Sequence, residues 1–271
     1  VRIARVFPKR TSFSPIDNDA YFGPPDLFTP KYDEVHVSCL FTWDKPTAER
    51  LAQNWQGYGE VKIGGPAYGD RGGEFTPNMY TGNGCIITSR GCPMNCPWCH
   101  VPKREGRIRH LEIKEGNILQ DNNILACNKD HKDKVWAMLR KQKNVSLRGG
   151  IDARLLKDSD VERIRGLHLA DLWTAYDDKE NKKASLSAIT RLREAGISQN
   201  KIRCYVLVGF GDEGIEDAED RLKECYQAGA LPFAQLYDGY NGDDIKEWKR
   251  FARRWSRPAI YKSMIKDNIW K

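Results

Sequence analysis

The sequence predicts an α/β protein, a partial (β/α)6 TIM-like barrel preceded by a small βαβ N-terminal unit. Three observations predict it. From residue 84 onward, short apolar runs alternate with stretches whose apolar residues recur at helical spacing. The connections between them are short, which favours a parallel sheet with covering helices. Before residue 84, a single strand–helix–strand pattern ends in Gly64-Gly65-Pro66 and a loop-rich connector. The expected division is therefore residues 1–83 and 84–271.

Six βα units are expected after the connector. Cys85–Thr88 (CIIT) is the first strand and leads into a cysteine-rich loop. Asn117–Gln120 (NILQ) is the second, followed by a helix with Val135, Met138 and Leu139 on one face. Val145–Leu147 is the third strand. Its helix carries Val161 and Ile164, and Ser159 with Glu162 resembles a capping box at its start. Leu172–Tyr176 (LWTAY) is the fourth, and the helix after it is expected to stop at Gly196. Ile202–Val208 (IRCYVLV) is nearly all apolar, as suits a parallel strand covered on both faces. Phe233–Tyr237 is the sixth, followed by a basic helix around Trp248–Trp255. In the first 83 residues, Asp33–Thr42 and Glu60–Ile63 read as strands. Between them a helix has Asp44 as its expected cap and Pro46 in its first turn.

Bulk properties narrow the function. The 271 residues give ample chain for a packed core, and the composition is ordinary for a globular protein. No apolar run reaches the length of a membrane span, and VRIARVFPKR lacks the apolar centre of a secretory signal. A cytoplasmic, reducing compartment is the expectation. The eight cysteines then do not read as a disulfide framework. Cys39, Cys85, Cys127, Cys204 and Cys225 are scattered singly, and Cys39 and Cys204 sit in strand-like runs as small hydrophobes.

Cys92, Cys96 and Cys99 differ, because they share one turn-rich segment, RGCPMNCPWCH. Thiolates suit zinc or iron–sulfur clusters. A closed zinc site needs a fourth ligand, for which His110 is a candidate and the adjacent His100 an awkward one. A four-iron cubane held by three cysteines instead keeps one iron open to a small molecule, much as catalytic zinc keeps an open position.

The CxxxCxxC spacing, with Trp98 just before the last cysteine, resembles the signature of the radical S-adenosylmethionine (radical SAM) enzymes. The resemblance covers the barrel region from about Gly84 onward. It implies a [4Fe-4S] cluster on Cys92, Cys96 and Cys99, and S-adenosylmethionine as cosubstrate. It also implies reductive cleavage to methionine and a 5′-deoxyadenosyl radical that abstracts hydrogen from a substrate. The same resemblance suggests positions for S-adenosylmethionine. Asp121, Asn122 and Asn123, after the second strand, occupy the place of the amine-binding segment. Arg154, in GGIDARLL, can pair with the methionine carboxylate, and Asp177, in TAYDD, can accept from ribose hydroxyls or the amine. YVLVGFGDE is similar to the adenine-binding strand, with Val208 as apolar contact and Gly209 allowing close backbone approach. Tyr205 replaces the first glycine of that motif. Trp98 would offer main-chain polar groups to the adenine edge. Gly72-Gly73-Glu74 looks like an amine-binding GGE but precedes the cysteines, and reads as loop.

The N-terminal unit resembles a shortened cobalamin-binding domain. It lacks the DxHxxG ligand motif, so no cobalamin is expected. The radical reading implies an electron donor such as a flavodoxin or ferredoxin. Lys103, Arg104, Arg107 and Arg109 follow the cysteines directly, where an anionic substrate or a reducing flavoprotein could dock. Net charge is +7 and KEWKRFARRWSR is strongly basic. That makes nucleic acid a substrate class to weigh, although a solvated helix face with Trp248 and Trp255 turned inward is favoured. Peptide and anionic metabolite stay open beside it. A different class also stays open, a non-catalytic metal-binding or electron-transfer module with a closed zinc or iron–sulfur site.

Overall fold

Alternating and continuous apolar runs become parallel strands in both parts of this chain, as the computed structural model shows over residues 1–266. The fold is α/β with parallel sheets. It divides into two compact units, one of residues 1–93 and 100–116, the other of residues 94–99 and 117 onward.

The first unit holds strands β1 (Ile3–Val6), β2 (Ala20–Tyr21) and β3 (Glu34–Ser38), helix α1 (Lys45–Asn54) and strand β4 (Glu60–Gly64). Its sheet runs β2-β1-β3-β4, every neighbour parallel. The expected βαβ is β3-α1-β4, and β1 and β2 extend it beyond expectation. Val35 and Val37 alternate inward along β3, the period of a strand with one buried face. They meet Ala48, Leu51 and Trp55 from the helix side in one core. Asp44 does not cap α1 with its side chain; its carboxylate pairs with Lys9 at 3.1 Å. Gly65 has φ +106°, and a Cβ there would lie 2.6 Å from the Cys39 carbonyl oxygen, so the turn after β4 requires glycine. Short strands β5 (Cys85–Ile86) and β6 (Ser89–Arg90), helix α2 (Val101–Arg104) and strand β7 (Arg109–His110) complete the unit, with β6 and β7 antiparallel.

The second unit alternates strictly: β8 (Ile118–Leu119), α3 (Lys129–Arg140), β9 (Val145–Ile151), α4 (Asp158–Arg165), β10 (Leu169–Ala175), α5 (Lys182–Glu194), β11 (Ile202–Val208), α6 (Ile215–Ala228), β12 (Leu231–Leu236), α7 (Ile245–Trp255) and α8 (Pro258–Lys266). Its five strands lie in sequence order from β8 to β12, all parallel. The order is linear, and no ladder joins β12 to β8 among the described residues. The strand expected to be most apolar, β11, buries Ile202, Cys204, Val206 and Val208 completely. Each of α3 to α6 turns a stripe inward, with Val135 and Leu139, Val161 and Ile164, Ile189 and Leu192, and Leu222 and Cys225. Helix α5 ends as expected, with Gly196 in the left-handed region at φ +89°. The Ser159–Glu162 capping box does not form: α4 starts at Asp158 without a side-chain cap, and Glu162 pairs with Arg165 at 3.1 Å. The basic helix α7 buries Trp248, Phe251 and Trp255 and leaves its basic residues on the other side, so its tryptophans are core. No helix among the described residues is long and apolar enough to cross a membrane.

Candidate functional site

The cysteine loop leaves β6 through Gly91. This glycine has φ +90°, and a Cβ on it would meet the Arg107 carbonyl oxygen at 2.3 Å. The Cys92 amide donates to the Gly106 carbonyl at 3.1 Å, which ties the start of the loop to the turn after α2. Further on, the Cys99 amide donates to the Cys96 carbonyl at 3.0 Å. None of the three cysteines is in a disulfide, and all three are half-buried.

Around the loop's first part, the basic segment is less available than its composition suggests. The Glu105 carboxylate is buried, 1% exposed, and sits against Arg104 at 3.2 Å, Arg109 at 3.2 Å and Arg90 at 3.6 Å. Arg90 Nε also donates to the Gly73 carbonyl at 3.0 Å, and Arg109 to the Gly72 carbonyl at 2.9 Å. The Gly72-Gly73 loop thus supplies main-chain acceptors to two arginines. Lys103 and Arg107 remain exposed.

The second unit collects most of the other candidates for a topological reason. Its strands are all parallel, so their C-terminal ends share one edge of the sheet, the edge where open α/β sheets bind ligands. Asp121–Asn123 follow β8, Asp152 and Arg154 follow β9, Tyr176 and Asp177 follow β10, and Val208 and Gly209 close β11. Arg154 grips Asp152 with two parallel bonds, Nε to Oδ1 and Nη2 to Oδ2, each 2.8 Å. Asn123 Nδ2 donates to the same carboxylate at 3.0 Å. Held in this way, both terminal nitrogens of Arg154 stand 3.7 Å from Cys96 Sγ. Its guanidinium is held firmly charged, chiefly by its bonds to Asp152, and Cys96 adds to the effect.

Asp177 takes an N–H from Leu207 at 2.9 Å and a hydrogen bond from the Trp98 side chain. Burial pushes its carboxyl up to about 6, against the pull of those two bonds and of the Arg221 and Arg154 charges. Trp98 also packs edge-on to Phe210, with ring centroids 5.4 Å apart. Both of these contacts are made by its indole ring. Val208 is fully buried. Gly209 has φ +72°, and a Cβ there would crowd Leu236 at 3.0 Å and Tyr240 at 3.1 Å. The structure thus links Asn123, Asp152, Arg154 and Cys96 in one run of contacts and Trp98 to Asp177 in another, both within the second unit. Asp121 is different, since it is buried beside Cys127 and His131, and Asn122 is half-buried.

Two residues of this edge, Arg221 and Glu213, escaped sequence reading. Arg221 of α6, itself buried, donates to the main-chain carbonyls of Tyr176 and Leu207, both at 2.8 Å, and pairs with Glu213 at 2.5 Å. It fixes the ends of β10 and β11, on which Asp177 rides. An arginine amid an amphipathic helix gives no such signal in sequence.

These features define the class: an α/β protein with parallel sheets, a loop of three cysteines outside any disulfide, and a row of polar and charged groups along one sheet edge. Comparison with known protein families finds no family model that matches the chain, and comparison with curated proteins finds no match.

Proposed function

We propose that this protein is a radical S-adenosylmethionine enzyme built on a partial (β/α)6 barrel. The observation that carries the reading is the CxxxCxxC loop with Arg154 aimed at Cys96 Sγ and backed by Asp152 and Asn123. The donor chemistry suits a [4Fe-4S] cluster, with three half-buried thiols outside any disulfide and a fixed guanidinium beside one of them. Cys92, Cys96 and Cys99 would hold it. When bound, the cluster supplies a low-potential electron and an open iron position for the cosubstrate.

The remaining roles belong to the chain's own side chains. Arg154, already neutralised by Asp152 on one side, offers the opposite edge of its guanidinium to the cluster sulfur or a carboxylate. Asp177 can accept from hydroxyl or ammonium donors, and its raised pKa lets it carry a proton near neutral pH. Asn123 holds the Asp152 carboxylate in register. Gly209, with its φ of +72°, lets Leu236 and Tyr240 pack over the end of β11 beside the buried Val208. Exposed Lys103 and Arg107 suit an anionic substrate or a flavodoxin or ferredoxin donor.

The test is anaerobic reconstitution with iron and sulfide, followed by S-adenosylmethionine and dithionite. Release of 5′-deoxyadenosine by the wild type and its loss in Cys96→Ala, with the fold intact by circular dichroism, supports the reading. Equal release by both proteins would end it.

A further inference from the structure

The loop after β8 carries a second set of metal-ligand atoms that the cysteine loop does not share. The Asp121 carboxylate, the Cys127 thiol and the His131 imidazole each offer one donor atom, and these atoms all lie within 4.8 Å of one another. All three residues are buried, at 1%, 5% and 6% exposure. Asp121 leaves the end of β8, Cys127 precedes α3, and His131 lies in the first turn of that helix, where its amide bonds Asn128 Oδ1 at 2.9 Å. The main chain at Asp121 is pinned, because a Cβ on Gly149 would stand 1.9 Å from the Asp121 carbonyl oxygen. A rigid strand end and the start of a helix thus converge three different ligand types on one buried point.

We propose that Asp121, Cys127 and His131 bind a zinc ion that locks the loop between β8 and α3. The proposal rests on these residues and not on the radical reading. Around tetrahedral zinc with bonds of about 2.0–2.3 Å, ligand atoms stand about 3.3–3.8 Å apart, so the observed set takes three corners with small rotamer adjustments and a water takes the fourth. The donor mix of one oxygen, one sulfur and one nitrogen is borderline-soft, which suits zinc better than magnesium or calcium. Charge agrees as well. A carboxylate and a thiolate together cancel the two positive charges of the ion, which makes the assembly tolerable in a buried place. The thiol is too enclosed to serve as a nucleophile toward an outside substrate, which separates this site from a Cys–His–Asp catalytic arrangement.

The loop so locked presents Asn123 to Asp152 at 3.0 Å, and Asp152 in turn grips Arg154. The zinc therefore positions Arg154 from a distance.

The experiment separates the two metal sites. Cys92, Cys96 and Cys99 are all replaced by serine in the full chain, which is equilibrated anaerobically with zinc sulfate, desalted and analysed for metal. The expected content is about one zinc per chain, falling about tenfold when Cys127→Ala or His131→Ala is added. In parallel, the zinc-loaded triple-serine chain is examined by X-ray absorption at the zinc edge. One sulfur at about 2.3 Å and nitrogen or oxygen neighbours at about 2.0–2.1 Å are expected. A folded triple-serine chain without zinc would overturn the proposal and leave the triad a hydrogen-bonded network. Zinc with no sulfur neighbour, or with two or more, in the triple-serine chain would overturn it too. Because the readout is zinc and not deoxyadenosine, its failure is distinct from failure of the radical reading.

Discussion

Asp177→Asn should make this protein more stable at neutral and alkaline pH, and by clearly less in mild acid. The Asp177 carboxyl is raised to about 6 from an ordinary 3.8, with burial as the largest cause. A raised carboxyl means that the folded state prefers the neutral form. Between the unfolded value and about pH 6, the native chain binds more protons than the unfolded chain, so stability falls as pH rises. A tenfold change in proton affinity is worth about 1.4 kcal/mol, and the roughly hundredfold change here gives a penalty of about 3 kcal/mol, fully present above about pH 7. The residue is not wholly enclosed, so about 2 kcal/mol is the expected gain from the amide. Asparagine keeps the oxygen that accepts from the Leu207 amide and removes only the charge. The assay is urea denaturation of both proteins at pH 8 and pH 4.5, followed by tryptophan fluorescence. A variant less stable at pH 8, or a difference that is the same at both pH values, would refute the assignment of a raised carboxyl. On the proposed function, the same variant should lose activity even as it gains stability, the pattern expected where a charged group is kept for function.

Three further outcomes follow from the geometry. Glu105→Gln leaves three arginines around a buried amide; thermal denaturation should show a loss of about 3 kcal/mol, and salt should recover part of it. Trp255→Ala empties a fully buried site on α7 and removes the indole donor to Glu219 at 3.1 Å. It should cost about 3–5 kcal/mol by urea titration, whereas a loss under about 1 kcal/mol would place this tryptophan outside the core. Arg154→Ala removes the cation at Cys96; on the proposed function, an anaerobic redox titration of the reconstituted cluster should show a lower potential, since a positive charge beside the sulfur favours the reduced form.

How much of this could be read from sequence depended on how local each signal was. Every strand expected between residues 84 and 237 has a counterpart in the fold, because period and apolar run length are properties of one segment at a time. The inward tryptophans of α7 were legible for the same reason. Strand β1 was not, since IARV carries Arg5, whose buried guanidinium reaches the Asn78 carbonyl at 3.0 Å and pairs with Asp17. Only the distant partners make that arginine compatible with a strand. Asp44 and Ser159 had the residue types of helix caps, yet Lys9 takes the first carboxylate and α4 begins one residue before the second. The row Asn123–Asp152–Arg154–Cys96 was legible as separate candidates but not as a chain of bonds. Arg154 and Cys96 are 58 residues apart, and only the folded second unit brings them together. Cys127 read as one of five scattered thiols. Its Cx3H spacing to His131, at a helix start, was the signal available, and it gains meaning only once Asp121 lies beside it.

On the proposed function, three cysteines hold the cluster and its fourth iron has no protein ligand. Mössbauer spectroscopy of 57Fe-reconstituted protein, with and without S-adenosylmethionine, reads that iron itself. One iron site in about four should change its isomer shift when the cosubstrate is added, while the other three stay fixed. Four sites that are indifferent to S-adenosylmethionine would show that no iron was left open to it.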